Sequence, residues 1–189
     1  MTSPQGPAGR YYTAPVPRDF RQGDIYRDVL HIMLTEPEFA VLRTFQAKGG
    51  RTQVFLHGPG NPPKDGFHWE SKERVVAEGQ LRMAIVLTHD CEIENADSRE
   101  HRLIGLLRPL DRLGSGDQEI IIQGRHFGRL YLPAWSEVGL PESYLDLRRI
   151  TTLRNDALPG ENRIASMADF GRELLQAAII RYLTEMYRG

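Results

Sequence analysis

The hydrophobic positions of this chain fall in short runs separated by turn formers, and only the C-terminal stretch changes to a helical period. From Ile25 to Leu34 apolar and polar residues nearly alternate between Gly23 and Pro37, which predicts a first strand with one buried face. FAVLRTFQ (39–46) and RTQVFLH (51–57) flank Gly49 and Gly50, whose freedom to take positive φ suits a tight turn, so these two predict a hairpin. GPGNPPKDG (58–66) is almost all turn formers and predicts an exposed loop, after which FHWESKERVVAEG (67–79) leads to the apolar run LRMAIVLTHD (81–90). Further strands are predicted at HRLIGLLRPL (101–110), QEIIIQG (118–124), RLYLPAW (129–135) and SYLDLRRITTL (143–153). Over residues 166–187 the apolar groups fall at Met167, Phe170, Leu174, Leu175, Ala178, Ile179, Tyr182, Leu183 and Met186, the spacing of an amphipathic helix. Ser166 suits its N-cap, and Asp169 suits the positive end of its dipole. The predicted class is mainly β, a small barrel or sandwich closed by a C-terminal helix.

A chain of 189 residues fits a single domain, here residues 21–189 with an inserted hairpin region at about 37–79. The first 20 residues are rich in Pro and Gly and lack the apolar core of a signal peptide, so they predict a flexible tail. No run approaches the roughly 20 apolar residues that span a bilayer, and the expectation is a cytoplasmic protein without membrane contact. A net charge of −1 excludes a strong overall pull toward nucleic acid or lipid. The positive charge is nevertheless almost all arginine, since only Lys48, Lys64 and Lys72 are lysines among 24 basic residues. Arginine grips phosphate and carboxylate with a two-pronged fork, although genomic base composition produces the same bias. Cys91 is the one cysteine, which excludes an internal disulfide and any multi-cysteine zinc site.

Reactive residue types concentrate where the run from 81 ends in His89, Asp90, Cys91 and Glu92. If residues 84–93 are extended, His89 and Cys91 share one face about 7 Å apart, and a direct bond between them requires a bulge or turn. A thiol beside an imidazole is the pairing of cysteine hydrolases; an inert buried cysteine beside a surface histidine is the competing reading. A metal would need His57, His68, His101 or His126 as additional ligands, and with no H-E-x-x-H or C-x-x-C present neither metal nor cofactor is expected. Asp90 and Glu92, with Asp24, are suited to acid–base work, yet the same acids at a strand end commonly cap turns.

Gln22 to Tyr26 form a Gln-Gly-Asp-Ile-Tyr strand opening, and LRMAIVLTHD is an arginine-led apolar strand with Met83 where proline is usual. HRLIGLLRPL then supplies a second apolar strand, and LRRITTL a closing phrase before the helix. In this order the motifs, which span about half of the chain, resemble the MazF/PemK group of toxin proteins. The resemblance implies an SH3-like barrel with a C-terminal helix, RNA- or nucleic-acid-directed action of the toxin or defence type, metal-independent endoribonuclease activity, an antitoxin-like protein partner and a homodimer. On this reading Arg82 stabilises the phosphorane, His89 and Asp90 exchange protons, and Cys91 is a secondary candidate. Asp24, Tyr26, Arg148 and Arg149 contact nucleic acid, and Phe67, Trp69, Tyr131 and Trp135 are available to stack on bases. The sequence departs from the pattern twice. The Ser or Thr expected at the end of the second strand falls at Leu107, Arg108 and Pro109, which carry no hydroxyl, and residues 30–79 exceed the usual first loop. Two alternatives therefore stand beside the nuclease: a non-catalytic barrel that binds a protein or nucleic-acid partner, and a Cys91-dependent enzyme.

Overall fold

The computed structural model describes residues 8–15, 20–32, 40–46, 52–57, 74–76, 79–94 and 100–186. Its strands are β1 (Tyr12–Thr13), β2 (Asp24–Ile32), β3 (Ala40–Gln46), β4 (Thr52–His57), β5 (Arg74–Val76), β6 (Gly79–Val86), β7 (His101–Pro109), β8 (Arg129–Leu132), β9 (Ser143–Arg154) and β10 (Arg163–Met167). Among the described residues the α-helices are α1 (Ala8–Tyr11), α2 (Asp90–Glu94), α3 (Ser115–Ile122) and α4 (Asp169–Met186). Two compact units divide the chain, one built from residues up to Val29 and from Leu81 onward, the other from Leu30–Gln80. The larger holds most of a seven-stranded sheet in the order β1-β10-β2-β6-β7-β9-β8. Partners run antiparallel in β1/β10, β10/β2, β6/β7, β7/β9 and β9/β8. The order is linear, and among the described residues no main-chain pairing joins β1 to β8. The smaller unit contains the antiparallel sheet β4-β3-β5, in which β3 pairs with both neighbours. The predicted hairpin is thus present with a third strand added. The loop at 58–66 and the side chains of His57, Phe67, His68 and Trp69 lie outside the described residues.

The continuous apolar run at 84–87 follows from a sheet covered on both faces. Ile85 and Leu87 pack on one side with Ile25, Leu107, Leu145 and Leu175 of α4, while Ala84 and Val86 pack on the other with Tyr26, Ile104, Leu106 and Leu158. A strand buried on both faces has no polar alternate positions, which is why its sequence reads as an unbroken run. Ile85 is fully buried, and such a side chain contributes on the order of 2–3 kcal/mol. Between Gly105 and Leu107 the β7/β9 register shifts. A Cβ on Gly105 would clash with Leu145 Cδ1, so a side chain at this irregularity would require the fully buried Leu145 to shift.

Three expectations are corrected. QEIIIQG is not a strand but most of α3, where only Ile121 is buried, beside Leu110 and Tyr144, and Ile120 and Ile122 are exposed. Packing of one isoleucine on a helical turn overrides the β preference of three in a row. RIASM precedes the helix as β10, so Ser166 is a strand residue and not an N-cap; α4 begins at Asp169. The segment at 8–13 is built into the fold although its composition reads as tail. Tyr12 is buried, its hydroxyl donates to the Pro133 carbonyl (2.8 Å), and its ring stacks on Trp135 at 5.9 Å. Tyr11 packs edge-on against Phe170, and its carbonyl accepts a bond from Ala168 N at 2.8 Å. Sequence periodicity cannot register a segment this short, because its order comes from aromatic contacts made far along the chain.

Gly171 of α4 lies so close to this segment that a Cβ there would stand 2.5 Å from the Tyr11 carbonyl oxygen. Gly171→Ala should destabilise the protein by about 1–3 kcal/mol through forced displacement of the two backbones, despite alanine's better helix propensity. Equilibrium urea unfolding checks this; a stabilised variant would show that α1 and α4 are not in contact.

Candidate functional site

The Gln-Gly-Asp opening is a structural junction. Gly23 takes φ +89°, where a side chain would be strained, and its N–H donates to Val86 O (2.8 Å) while its carbonyl accepts from Met167 N (3.0 Å). This one residue links β6 to β10 at the start of β2. Gln22 donates from Nε2 to Leu87 O (2.8 Å) and accepts from Gln176 of α4 (2.9 Å). Asp24 is fully buried, paired with Arg163 Nη1 at 2.8 Å, and accepts from the Ser166 hydroxyl and from Arg21 N. Tyr26 is 1% exposed, and burial, followed by the nearby Asp24 charge, pushes its phenol pKa up. Neither Asp24 nor Tyr26 presents a surface to nucleic acid, which corrects the expectation that they contact it.

β6 ends at Val86, and the chain turns rather than continuing as a strand to 93. Leu87 N and Thr88 N both donate to Leu103 O, the Thr88 hydroxyl accepts from Leu103 N (2.7 Å), and α2 starts at Asp90. The turn brings His89 Nδ1 within 3.1 Å of Cys91 Sγ, in place of the 7 Å separation of an extended strand, and both residues are exposed. Cys91 N also donates to Nδ1 at 3.3 Å. An Nδ1 that accepts from a main-chain N–H carries its lone pair there, which corresponds to the neutral Nε2–H tautomer beside a thiol; an imidazolium would instead donate from Nδ1 to a thiolate. Asp90 is occupied as an anchor, accepting from Gln22 N (2.7 Å) and pairing with Arg172 of α4 (3.0 Å).

Arg82 lies elsewhere. It is four residues before the end of β6, about 13 Å of strand away from that end, on the side opposite to the His89 turn. Arg82, His89 and Asp90 are therefore not brought together as one rim. The β6/β7 pairing runs Ala84↔Leu106, Ile85↔Gly105 and Val86↔Ile104, and Arg82 and Arg108 lie beyond the Ala84 end of it on their strands. Both line a cleft of about 190 Å³ with Pro109, Arg112, Leu113 and Tyr144. The turn Leu110–Arg112 after β7 carries Arg112 back to the cleft, and the Arg129 guanidinium sits 5.1 Å from the Tyr144 ring centroid. Among the described residues Arg108 and Arg112 form no hydrogen bond or ion pair. The hydroxyl missing from positions 107–109 is not supplied by Ser143, which faces Pro109 across the β7/β9 pair but is buried and donates to Pro141 O (2.8 Å).

Sequence reasoning selected Arg82 and missed Arg108, Arg112 and Arg129. The signal was present in RPLDR, where two arginines bracket a Pro-Leu turn. Of the other arginines it selected, Arg148 is held in a two-pronged bond to Asp146 (2.9 and 3.0 Å), and Arg149 is exposed. Burial alone would raise the Asp146 pKa, but the bonds to Arg148 outweigh it and hold the carboxyl below its usual range. Arg148 is thus committed to the fold. Trp135 is a core residue, and the Tyr131 hydroxyl donates to Glu142 at 2.5 Å. His126 accepts from Gly128 N, and burial, then Arg129 and Arg148, push its pKa down. Among the described residues no group of three His, Cys, Asp or Glu side chains could hold a metal, and no helix is long and apolar enough to cross a membrane. Comparison with known proteins finds no family model and no curated protein that matches the chain.

Replacing Asp24 by Asn removes the charge that balances buried Arg163. Such a loss costs about 3–5 kcal/mol, and Asp24→Asn should lower the urea midpoint accordingly. An unchanged midpoint would show that the pair does not hold β10 to β2.

Proposed function

We propose that this chain is an RNA- or nucleic-acid-directed protein of the toxin or defence type that grips strand phosphates with Arg82, Arg108 and Arg112. The observation that carries the reading is a cleft lined by Arg82, Arg108 and Arg112, from two neighbouring strands and the turn after them, with no carboxylate among the described residues that line it. The near-neutral net charge agrees with a local grip rather than a diffuse basic surface.

Binding fits the geometry better than cleavage. Metal-independent RNA cleavage needs a base and an acid within about 2.6–3.2 Å of the reacting oxygens, and among the described residues the cleft lining contributes guanidiniums and Tyr144 as its polar side chains. His89 and Asp90 belong to the other end of β6. For the fold, the reading is an SH3-like barrel. Support comes from Tyr12 on edge strand β1, which bonds to Pro133 and stacks on Trp135 just past edge strand β8, so side chains draw the two sheet edges together.

One observation favours a second reading, a Cys91-dependent activity: an exposed thiol 3.1 Å from an imidazole nitrogen. A thiol beside an imidazole is the pairing that cysteine nucleophiles use, with the imidazole as base.

Two experiments separate the readings. Unstructured RNA should shift in a native gel without being shortened. In Arg108→Ala and Arg112→Ala the shift should weaken, with the slope of log K against log salt shallower by about 0.7 for each phosphate no longer neutralised. His89→Ala should bind as the parent does, and a double arginine variant with full binding would remove the cleft from the function. For the second reading, iodoacetamide at neutral pH should label Cys91 several-fold faster in the parent than in His89→Ala; equal rates would leave the thiol unactivated.

A further inference from the structure

We infer that the ring of Phe127, held nearly parallel to Tyr182 and His126, is a stacking platform for an unpaired base, so that the chain prefers single-stranded nucleic acid to duplex. This rests on the reading of the chain as nucleic-acid-directed but uses a different surface from the arginine cleft. The first observation is ring geometry. Phe127 lies in the turn between α3 and β8, 17° from parallel with Tyr182 of α4 and 14° from parallel with His126, with centroids 6.1 and 5.8 Å away. Nearly parallel rings at such separations are offset, not eclipsed, so the two neighbours orient Phe127 without covering it. It remains 43% exposed, whereas Trp135, singled out by sequence for stacking, is buried against Tyr12. A lone exposed phenylalanine is ordinary. Three rings brought into nearly parallel planes from a turn and a helix form a surface that a further flat group can extend.

The second observation is that the turn is tied down on every side. Gly124, at φ +66°, reverses the chain after α3, and its carbonyl accepts from Arg181 Nη1 of α4 at 3.1 Å. Gly128 N donates to His126 Nδ1 (3.1 Å), which fixes that ring, and the Gly128 carbonyl accepts from Leu147 N of β9 (2.9 Å). A platform ordered before binding loses little further freedom on binding. The third observation is the border of the stack. Arg125 and Arg129 flank His126 and Phe127 in sequence, Arg125 is exposed, and the Arg148 side chain runs beside Gly128. The acids nearby are Asp146, held by Arg148, Glu185, 3.8 Å from Arg181, and Asp117, whose charge reaches His126. A base on Phe127 carries its phosphates into this arginine-rich border, whereas an apolar side chain docked there would take those charges out of water. Bases inside a duplex are already stacked on one another and are closed to the ring.

The test uses the full chain and three labelled RNAs: a single strand, its duplex with the complement, and the same single strand with abasic positions. Fluorescence anisotropy should rank the intact single strand above the other two, and Phe127→Ala should weaken its binding roughly tenfold. Phe127→Leu, which keeps an apolar side chain but no π-face, should lose as much, and Phe127→Trp should keep the parent affinity. Stacking neutralises no phosphate, so the slope of log K against log salt should be the parent's in all three variants, unlike in Arg108→Ala. Parent affinity in Phe127→Leu, or equal affinity of the parent for all three RNAs, would overturn the platform and leave nucleic-acid binding standing. A self-associated species lost in Phe127→Ala on size-exclusion chromatography, with RNA affinity unchanged, would overturn it too and assign the face to a second copy of the chain. Absence of binding to every RNA would overturn both readings.

Discussion

A carboxylate with no exposed surface governs the arrangement of the larger unit. Burying Asp24 is tolerable only if its charge is matched and its oxygens are bonded, and the partners that satisfy it come from separate places: Arg163 and Ser166 on β10, and the main chain at Arg21. Meeting that requirement fixes β10 beside β2. Because α4 follows β10 after a single residue, the helix is fixed with it, and Leu175 is delivered to the core that Ile85 and Leu87 share. The same corner sets the position of Gln22, whose main-chain N–H binds Asp90, so the entrance to the His89 turn is held by the consequences of one buried charge.

The structure divides the chain's arginines by what they face. Arg163 and Arg148 meet aspartates that are themselves buried, and their charge is spent inside the fold. Arg108 and Arg112 face a cleft without such partners among the described residues. The distinction is one of neighbours, not of residue type, and it matters more than overall composition: a chain with a net charge of −1 can still place several arginines around one cleft.

Much of the fold was legible because it is written in local patterns. The both-faces burial of residues 84–87 appears as an uninterrupted apolar run, the hairpin in the smaller unit as two runs around a Gly-Gly pair, and α4 as a 3.6-residue stripe. What was not legible depends on partners distant in sequence. Ser166 looks like a helix cap until Asp24, 142 positions away, claims its hydroxyl. Tyr12 sits in a Pro/Gly-rich segment, and only Pro133 and Trp135 reveal it as core. The candidate site was half readable for the same reason. Arg82 stands out on its strand, but that it lines one cleft with Arg108 and Arg112 depends on the neighbouring strand and on a turn after β7, while His89 and Cys91 come together through a turn that the apolar run gave no sign of ending in.

The smaller unit departs from the larger at the end of β2 and returns through β6, and these two strands are neighbours in the sheet. The points of exit and re-entry are therefore held close together whatever lies between them. Closing a loop across such a gap costs only about 0.6 kcal/mol more for each doubling of its length. The length of the segment between the two strands therefore enters the closure cost only weakly, while the Asp24 corner draws on residues outside that segment. What residues 30–80 contribute is thus separable in energy from the closure that anchors them.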